Sequence, residues 1–463
     1  MTISEQLAKF VCETEYQKLP VEVVTAAKRP ILDCVGVTIA GSLEPVGRLI
    51  TNLVKKMECA PQAAVVGAGF RASSANAALA NGTIAHALDY DDVCTTIGEH
   101  PIGTHLSAVL LPVVLSLGEE LRVSGRDIIT AYVLGYEAAS QLGKGMSPDY
   151  GDSLGWHPTS PLGTIGAGVA AAKLLKLNVS QTATAIGIAA SQAAGLRQNF
   201  GTMVKPFHVG NAARNGIISA LLANEGFTAA SDSLEGQYGF CHAFSGGRDY
   251  DVSKITENLG KPFQVVSPGA ALKLYPCCGS THGALNALFS LLRKYDIQAE
   301  KVSAVEVNVP FDPPRSLIHY NPESGLEGKF SMQYCLAAAL VDRKVGLKSF
   351  TAEQVQRPDV RKLFGRITMF RQPGMEGRPS WEPPEYEVTV KMDNGEIYSE
   401  RARVPSIAPI QIATTEELAE KYHDCASLVL SASNVEASLE LLGSLEELPN
   451  ITRLAEIIIQ GRG

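Results

Sequence analysis

The feature that most constrains this chain is a change of period. From Ile3 to about Phe263, apolar residues recur every three or four positions, as on one face of a helix, and alanine is abundant. GTIGAGVAAAKLLKL and TATAIGIAASQAAGL mix small residues with periodic leucine and isoleucine. Small side chains let helix axes approach closely, so these stretches predict central helices of a bundle. After Pro262 the texture changes. KVSAVEVNVP alternates like a strand, and YEVTVKM and EIYSERARV flank Asp393-Asn394-Gly395, a hairpin signal. Helical stretches around SMQYCLAAALVDRK and TAEQVQRPDVRKLF lie between them, and helical periodicity returns at TTEELAEKYHDCASLVL. The expected fold is mainly α: a large all-helical domain formed by residues 1–264 and 406–463, with a smaller α+β lid domain, 265–405, inserted before the C-terminal helices.

Composition narrows the function classes. At 463 residues the chain is long enough for two or three domains. A net charge of −8, with no Lys/Arg-rich stripe interleaved with aromatics, argues against a nucleic-acid partner. MTISEQLAKFVCETEYQ is acidic and amphipathic rather than a basic start followed by an apolar run, and AVLLPVVLSLG is well short of the roughly 20 residues a membrane helix needs. A cytoplasmic protein with no membrane partner is therefore expected. The nine cysteines form no C-x-x-C pair and one vicinal pair, Cys277-Cys278, which points to reduced, packed thiols rather than zinc or iron–sulfur ligation. GTIGAG spaces its glycines G-x-x-G-x-G, with no strand before it and no βαβ unit after it, so it is not read as a nucleotide loop.

Five stretches concentrate polar chemistry in apolar surroundings. HALDYDDVCTTIGEHPIGTH runs from His86 to His105. GWHPTSPLGT carries His157, and LRQNFGTMVKPFHVGNAARNG carries Arg197, Lys205, His208 and Arg214 at an expected helix start. ALKLYPCCGSTHGAL carries Lys273, Tyr275 and His282, and EGKFSMQYC carries Lys329 and Tyr334. Each has an ordinary reading. DYDD suits the first turn of a helix, His157 a core position beside Trp156, Lys205 a loop, and Tyr334 a core site with its hydroxyl at an edge. Their concurrence is what points to function. A metal centre is not expected, because Asp89, Asp91 and Asp92 would spread around a helix and no H-x-x-x-H or E-x-x-H spacing accompanies them. What remains is acid/base chemistry on an anion: cations hold carboxylates, and histidines move protons next to them.

At these residues the chain resembles the MmgE/PrpD family. The resemblance rests on HALDYDD, HPIGTH, GWHPTSPLGTIGAG, GTMVKPFHVGNAARNG, LEGQYGF, KLYPCCGSTH and KFSMQY, and covers nearly the whole chain. It implies a helical domain closed by the C-terminal tail, an inserted lid, an active site between the two, a homodimer, and no cofactor. By matching motif it implies catalytic roles for Asp89, His105, His157 and Tyr334. Substrate contacts fall on Lys205 and Lys273, with Arg197, His100 and Thr95 as further candidates. The threonine expected just after the aspartates is Val93 here, and the segment up to His105 is longer than usual. The resemblance implies a lyase acting on a small di- or tricarboxylate at a carbon next to a carboxylate. Dehydration of a 2-methylcitrate-like hydroxy acid is the first expectation, decarboxylation of a cis-aconitate-like acid the second, and epimerisation of an imino- or amino-dicarboxylate the third. The rival from another class is a non-catalytic carboxylate-binding homologue.

Overall fold

The computed structural model describes residues 1–94, 103–148, 150–151, 153–373, 385–403 and 414–461. It is 58% helical and 9% strand, a mainly α chain with a small α+β part. Two compact units emerge: residues 1–198, 204–272 and 408–463 form one, and residues 199–203 with 273–407 form the other.

The first unit opens with α1 (Ile3–Glu13), α2 (Val21–Gly41) and α3 (Pro45–Lys56). A short two-stranded ribbon, β1 (Ala63–Ala64) with β2 (Arg71–Ala72), precedes α4 (Ser74–Ala85). Then come α5 (Leu106–Leu121), α6 (Gly125–Gly145), α7 (Thr159–Leu174), α8 (Val179–Gln192) and α9 (Val204–Asn224). Local sequence starts several of these helices: Thr2 with Glu5, Ser124 with Asp127, and Asn178 with Gln181 form reciprocal capping pairs that satisfy first-turn amides. AVLLPVVLSLG lies inside α5 and GTIGAG inside α7, and both helices are buried almost all round, as central members of a helical core are.

Close approach of α4 and α9 fixes the geometry needed below. A Cβ on Gly210 would stand 2.1 Å from the Leu79 carbonyl oxygen, and one on Gly82 would stand 2.8 Å from the Gly210 Cα. Two facing glycines therefore set the crossing. His86 lies four residues beyond Gly82 and Lys205 five before Gly210, so the crossing brings the end of α4 to the start of α9.

In the second unit, β3 (Val302–Val309), β4 (Ile367–Arg371), β5 (Glu385–Met392) and β6 (Ile397–Arg403) form one sheet in the order β4-β3-β5-β6. β3 pairs parallel with β4 and antiparallel with β5, placing Val305 beside both Ile367 and Val390. The expected hairpin is β5–β6, with Val390 opposite Tyr398. Helix α10 (Gly279–Lys294) packs on β5 and β6, and α11 (Met332–Asp342) packs against α10. Val305, Val307, Val388 and Val390 are buried among the helical Leu285, Leu288 and Leu336. Each such side chain is worth about 1.5–3 kcal/mol of burial.

The chain returns to the first unit through α12 (Thr415–Ala426), α13 (Ala432–Gly443) and α14 (Thr452–Ile458), with α12 packed along α2. Among the described residues, no helix is long and apolar enough to cross a membrane.

Candidate active site

The DYDD stretch follows a helix rather than starting one. Helix α4 stops at Ala85 and His86 caps it; Asp89 then takes φ +51°. This left-handed conformation costs an L-residue about 1–2 kcal/mol, and aspartate tolerates it better than most. Its effect corrects the helical expectation that the aspartates diverge: one ligand-type atom from each of His86, Asp89, Asp91 and His105 lies within 4.8 Å of the others.

Asp91 is the hub. One carboxylate oxygen lies 2.8 Å from His86 Nδ1 and the other 3.0 Å from His105 Nδ1. Burial pushes the Asp91 carboxyl up, but the two imidazoles beside it pull it well below the usual range, so it is an anion and accepts only. His86 must therefore donate from Nδ1. Its Nε2 then carries the lone pair that accepts from the Lys205 ammonium at 2.5 Å. Burial and Lys205 outweigh Asp91 and pull the His86 pKa down to about 3, so the ring is neutral near pH 7.

The same logic fixes His105. Its Nδ1 lies 3.0 Å from the Asp92 carbonyl oxygen as well as 3.0 Å from Asp91. Two acceptors face one nitrogen, so Nδ1 carries a hydrogen, and Nε2 is the ring's other, exchangeable position. The His105 backbone N–H donates to Thr159 Oγ1 at 3.1 Å, which ties the ring to the start of α7.

Lys205, buried in the first turn of α9, donates to Asp89 Oδ1 at 2.7 Å. Asp89 thus pairs with the lysine, and the aspartate on the histidines is Asp91. The Lys205 ammonium already occupies the place that a cation shared by His86 and Asp89 would take. His157 and His208 face each other through Nδ1 atoms 3.1 Å apart, so one ring donates and the other accepts. Burial, then Lys205, holds His157 well below 6.5 and His208 down to about 4. Asp92 is fully buried, and desolvation raises its carboxyl to about 8, so it is protonated near pH 7. The described residues thus combine Lys205, anionic Asp91, neutral His86, His157 and His208, and one ring, His105, whose Nδ1 hydrogen is directed by its surroundings.

The remaining expected residues are distributed differently. Arg197 donates to the Gly151 carbonyl at 3.1 Å, a contact that holds the loop before α7. Lys273 is buried and follows by two residues Ala271, whose backbone pairs with Val93. Tyr334 lies in the second unit. It is buried among Phe350 and Phe364, and its hydroxyl donates to the Ser349 carbonyl, so its proton is committed within the second unit. His100 and Thr95 lie outside the described residues. Sequence reasoning left His86, Asp91 and His208 out of the site. All three stand inside quoted motifs, and the signal for Asp91 was its position two residues from Asp89, visible only once the helix is taken to end at Ala85.

A mainly helical unit carrying a buried Asp–His–Lys constellation, in one chain with a smaller α+β unit, is the pattern of a class of two-domain α and α+β proteins. The sequence pattern of the MmgE/PrpD N-terminal domain matches residues 5–253, and that of the MmgE/PrpD C-terminal domain matches residues 275–447. The chain belongs to the MmgE/PrpD family. It is similar to the cis-aconitate decarboxylase of Homo sapiens, at 28% identity over 472 residues, covering 99% of this chain and 94% of that protein. The Mus musculus cis-aconitate decarboxylase is 26% identical, covering 99% and 93%, and that of Aspergillus terreus is 28% identical, covering 98% and 96%.

Proposed function

We propose that this protein is a lyase that works without a cofactor on a small di- or tricarboxylate, and that its reaction is decarboxylation of a cis-aconitate-like acid. The reaction is moved ahead of dehydration because the relatives matching over nearly their full length are cis-aconitate decarboxylases. The observation that carries the acid/base reading is His105: its Nδ1 faces the Asp91 carboxylate and the Asp92 carbonyl, which places the ring's hydrogen on Nδ1 and beside an anion, and we assign the proton transfer to its Nε2. A proton on that nitrogen is stabilised by the anionic Asp91, as a carboxylate stabilises an imidazolium in acyl-transfer triads.

In an allylic carboxylate the bond to the departing CO2 breaks, and its electron pair forms a new double bond. The old double bond's pair moves to the far carbon, which then takes a proton. His105 is the proposed source of that proton: its Nε2 takes a proton from solvent before the step, Asp91 stabilises the imidazolium, and the ring gives the proton to the carbon and returns to the neutral form. Lys205, which already compensates Asp89, and Lys273 are the proposed cations for substrate carboxylates, and His157 with His208 the neutral polar wall. Dehydration is the second reading, favoured by Val93 standing where the family's threonine is expected. The proposed assembly is a homodimer in the cytoplasm, checked by light scattering and cell fractionation.

The test is a panel of cis-aconitate, a 2-methylcitrate-type hydroxy acid and an amino-dicarboxylate, followed by NMR with enzyme stripped by a strong chelator. CO2 loss from the first substrate alone supports the proposal. Alkene formation from the second selects dehydration. Activity that vanishes on chelation and returns with a divalent ion overturns the cofactor-free mechanism. No turnover of any substrate leaves the carboxylate-binding alternative.

A further inference from the structure

We propose that Lys421, on the C-terminal helix α12, is a positioning residue for the Asp89–Asp91 turn. Helix α12 begins at a Thr414–Glu417 capping pair and buries Leu418, Tyr422 and Cys425. Its contact with α2 is close: a Cβ on Gly36 would stand 2.9 Å from the Tyr422 ring. The missing side chain at Gly36 lets α12 settle against α2, and Asp33 lies one turn before Gly36 on the same face. Lys421 lies next to Tyr422, and its Nζ reaches Asp33 Oδ1 at 2.7 Å, with side-chain exposures of 10% and 0%.

A pair that only neutralised Asp33 would end there. Lys421 also makes two contacts with Tyr90. Its ammonium donates to the Tyr90 carbonyl oxygen at 2.9 Å, across 331 residues of sequence, and stands 3.8 Å from the centre of the Tyr90 ring. Tyr90 separates Asp89, which holds Lys205, from Asp91, which faces both His86 and His105. The turn contains the left-handed Asp89, so it needs contacts outside itself to keep that shape. Lys421 grips the middle residue by backbone and ring, and Asp33 fixes the ammonium. The C-terminal segment thereby sets where the two site carboxylates point.

The kinetic arm of the test rests on the lyase reading above; the spectroscopic arm does not. Lys421→Met, Lys421→Arg and the neutral double variant Asp33→Asn/Lys421→Met are compared with the full-length protein. Stability is read by denaturant unfolding, and the His86 and His105 tautomers by nitrogen-15 NMR of labelled histidines. Lys421→Met leaves Asp33 buried without this partner and is expected to unfold more easily; the double variant removes both charges and recovers stability. The positioning role predicts that the double variant nevertheless keeps altered His105 ring signals and a kcat lowered about 10- to 100-fold, the scale of a small misplacement of a reacting group. It also predicts a smaller change in KM, and a partial return of kcat in Lys421→Arg, whose guanidinium can still donate to Tyr90. A double variant with normal stability, normal histidine signals and normal kcat would reduce Lys421 to a charge partner of Asp33 and overturn the proposal. If the unaltered protein turns over no carboxylate, the lyase reading fails while the histidine signals still decide the role of Lys421.

Discussion

Replacing Asp91 by asparagine should separate the tautomer-setting role of this residue from mere packing. The change keeps the shape and removes one acceptor. One carboxylate oxygen faces His86 Nδ1 at 2.8 Å and the other faces His105 Nδ1 at 3.0 Å, so the asparagine NH2 must point at one of them. Turned to His86, it would force that ring to carry its hydrogen on Nε2, against the Lys205 ammonium 2.5 Å away. The amide oxygen therefore stays on His86, and the NH2 faces the N–H of His105. The Asp92 carbonyl, 3.0 Å away, remains as acceptor for the His105 N–H, so the ring must turn toward it, and it loses the anion that stabilises a proton on Nε2. The lost charge-assisted contact should cost about 1.5–3 kcal/mol of stability. Loss of a correctly held proton carrier should cost about 10²- to 10⁴-fold in kcat. Steady-state kinetics, denaturant unfolding and histidine NMR on one preparation give all three readings. A variant with unchanged His105 signals and kcat within about threefold of the original would refute the role of Asp91 on His105, since even weak general acid–base effects exceed that.

Further outcomes follow from the same geometry. Lys205→Met strands the buried Asp89 carboxylate and should destabilise the fold by about 3–5 kcal/mol, with recovery in Lys205→Met/Asp89→Asn; equal stability of the two variants in urea would contradict the pairing. Removing that ammonium also removes one cause of the low His86 pKa, so the His86 NMR titration should move upward. Gly210→Ala forces a Cβ to 2.1 Å from the Leu79 carbonyl oxygen and should lower stability by about 1–3 kcal/mol, read as a lower Tm; an unchanged Tm would mean that α4 and α9 are not held this closely. Asp92 titrates near 8 in the fold and near 4 unfolded, so the folded state binds the extra proton between those values. Its contribution is therefore most favourable below about pH 4 and is lost as pH rises to about 8. Relative to Asp92→Asn, the unaltered protein should lose stability between pH 5 and pH 8, and a pH-independent difference would contradict the protonated state.

The periodic parts of the fold were legible because burial imposes a period. Helix α7 read as central because its apolar and small residues run nearly all round, whereas α8, read the same way, buries one face; β3, β5 and β6 read as strands because they alternate. Strand β4 was not singled out: ITMFR offers five residues, and its partner β3 lies parallel to it across a long connection. In the candidate site, sequence brought forward Asp89, His105, His157 and Lys205 because each is a titratable group in an apolar or glycine-punctuated stretch. It could not assign Asp91 to the histidines, because that depends on the left-handed Asp89. Nor could it foresee that Ser349 takes the Tyr334 hydroxyl, or that Lys421 reaches back to Tyr90, because both contacts join segments whose local patterns are independent.

The most direct test of the central claim is turnover of cis-aconitate in D2O, with the unaltered protein compared with His105→Gln and with product read by proton and carbon NMR. The account predicts CO2 release with one deuterium placed at the carbon that receives the electron pair, and a rate at least about 10²-fold lower in His105→Gln. CO2 release at an unchanged rate in His105→Gln, or product carrying no solvent deuterium, would contradict His105 as the proton carrier.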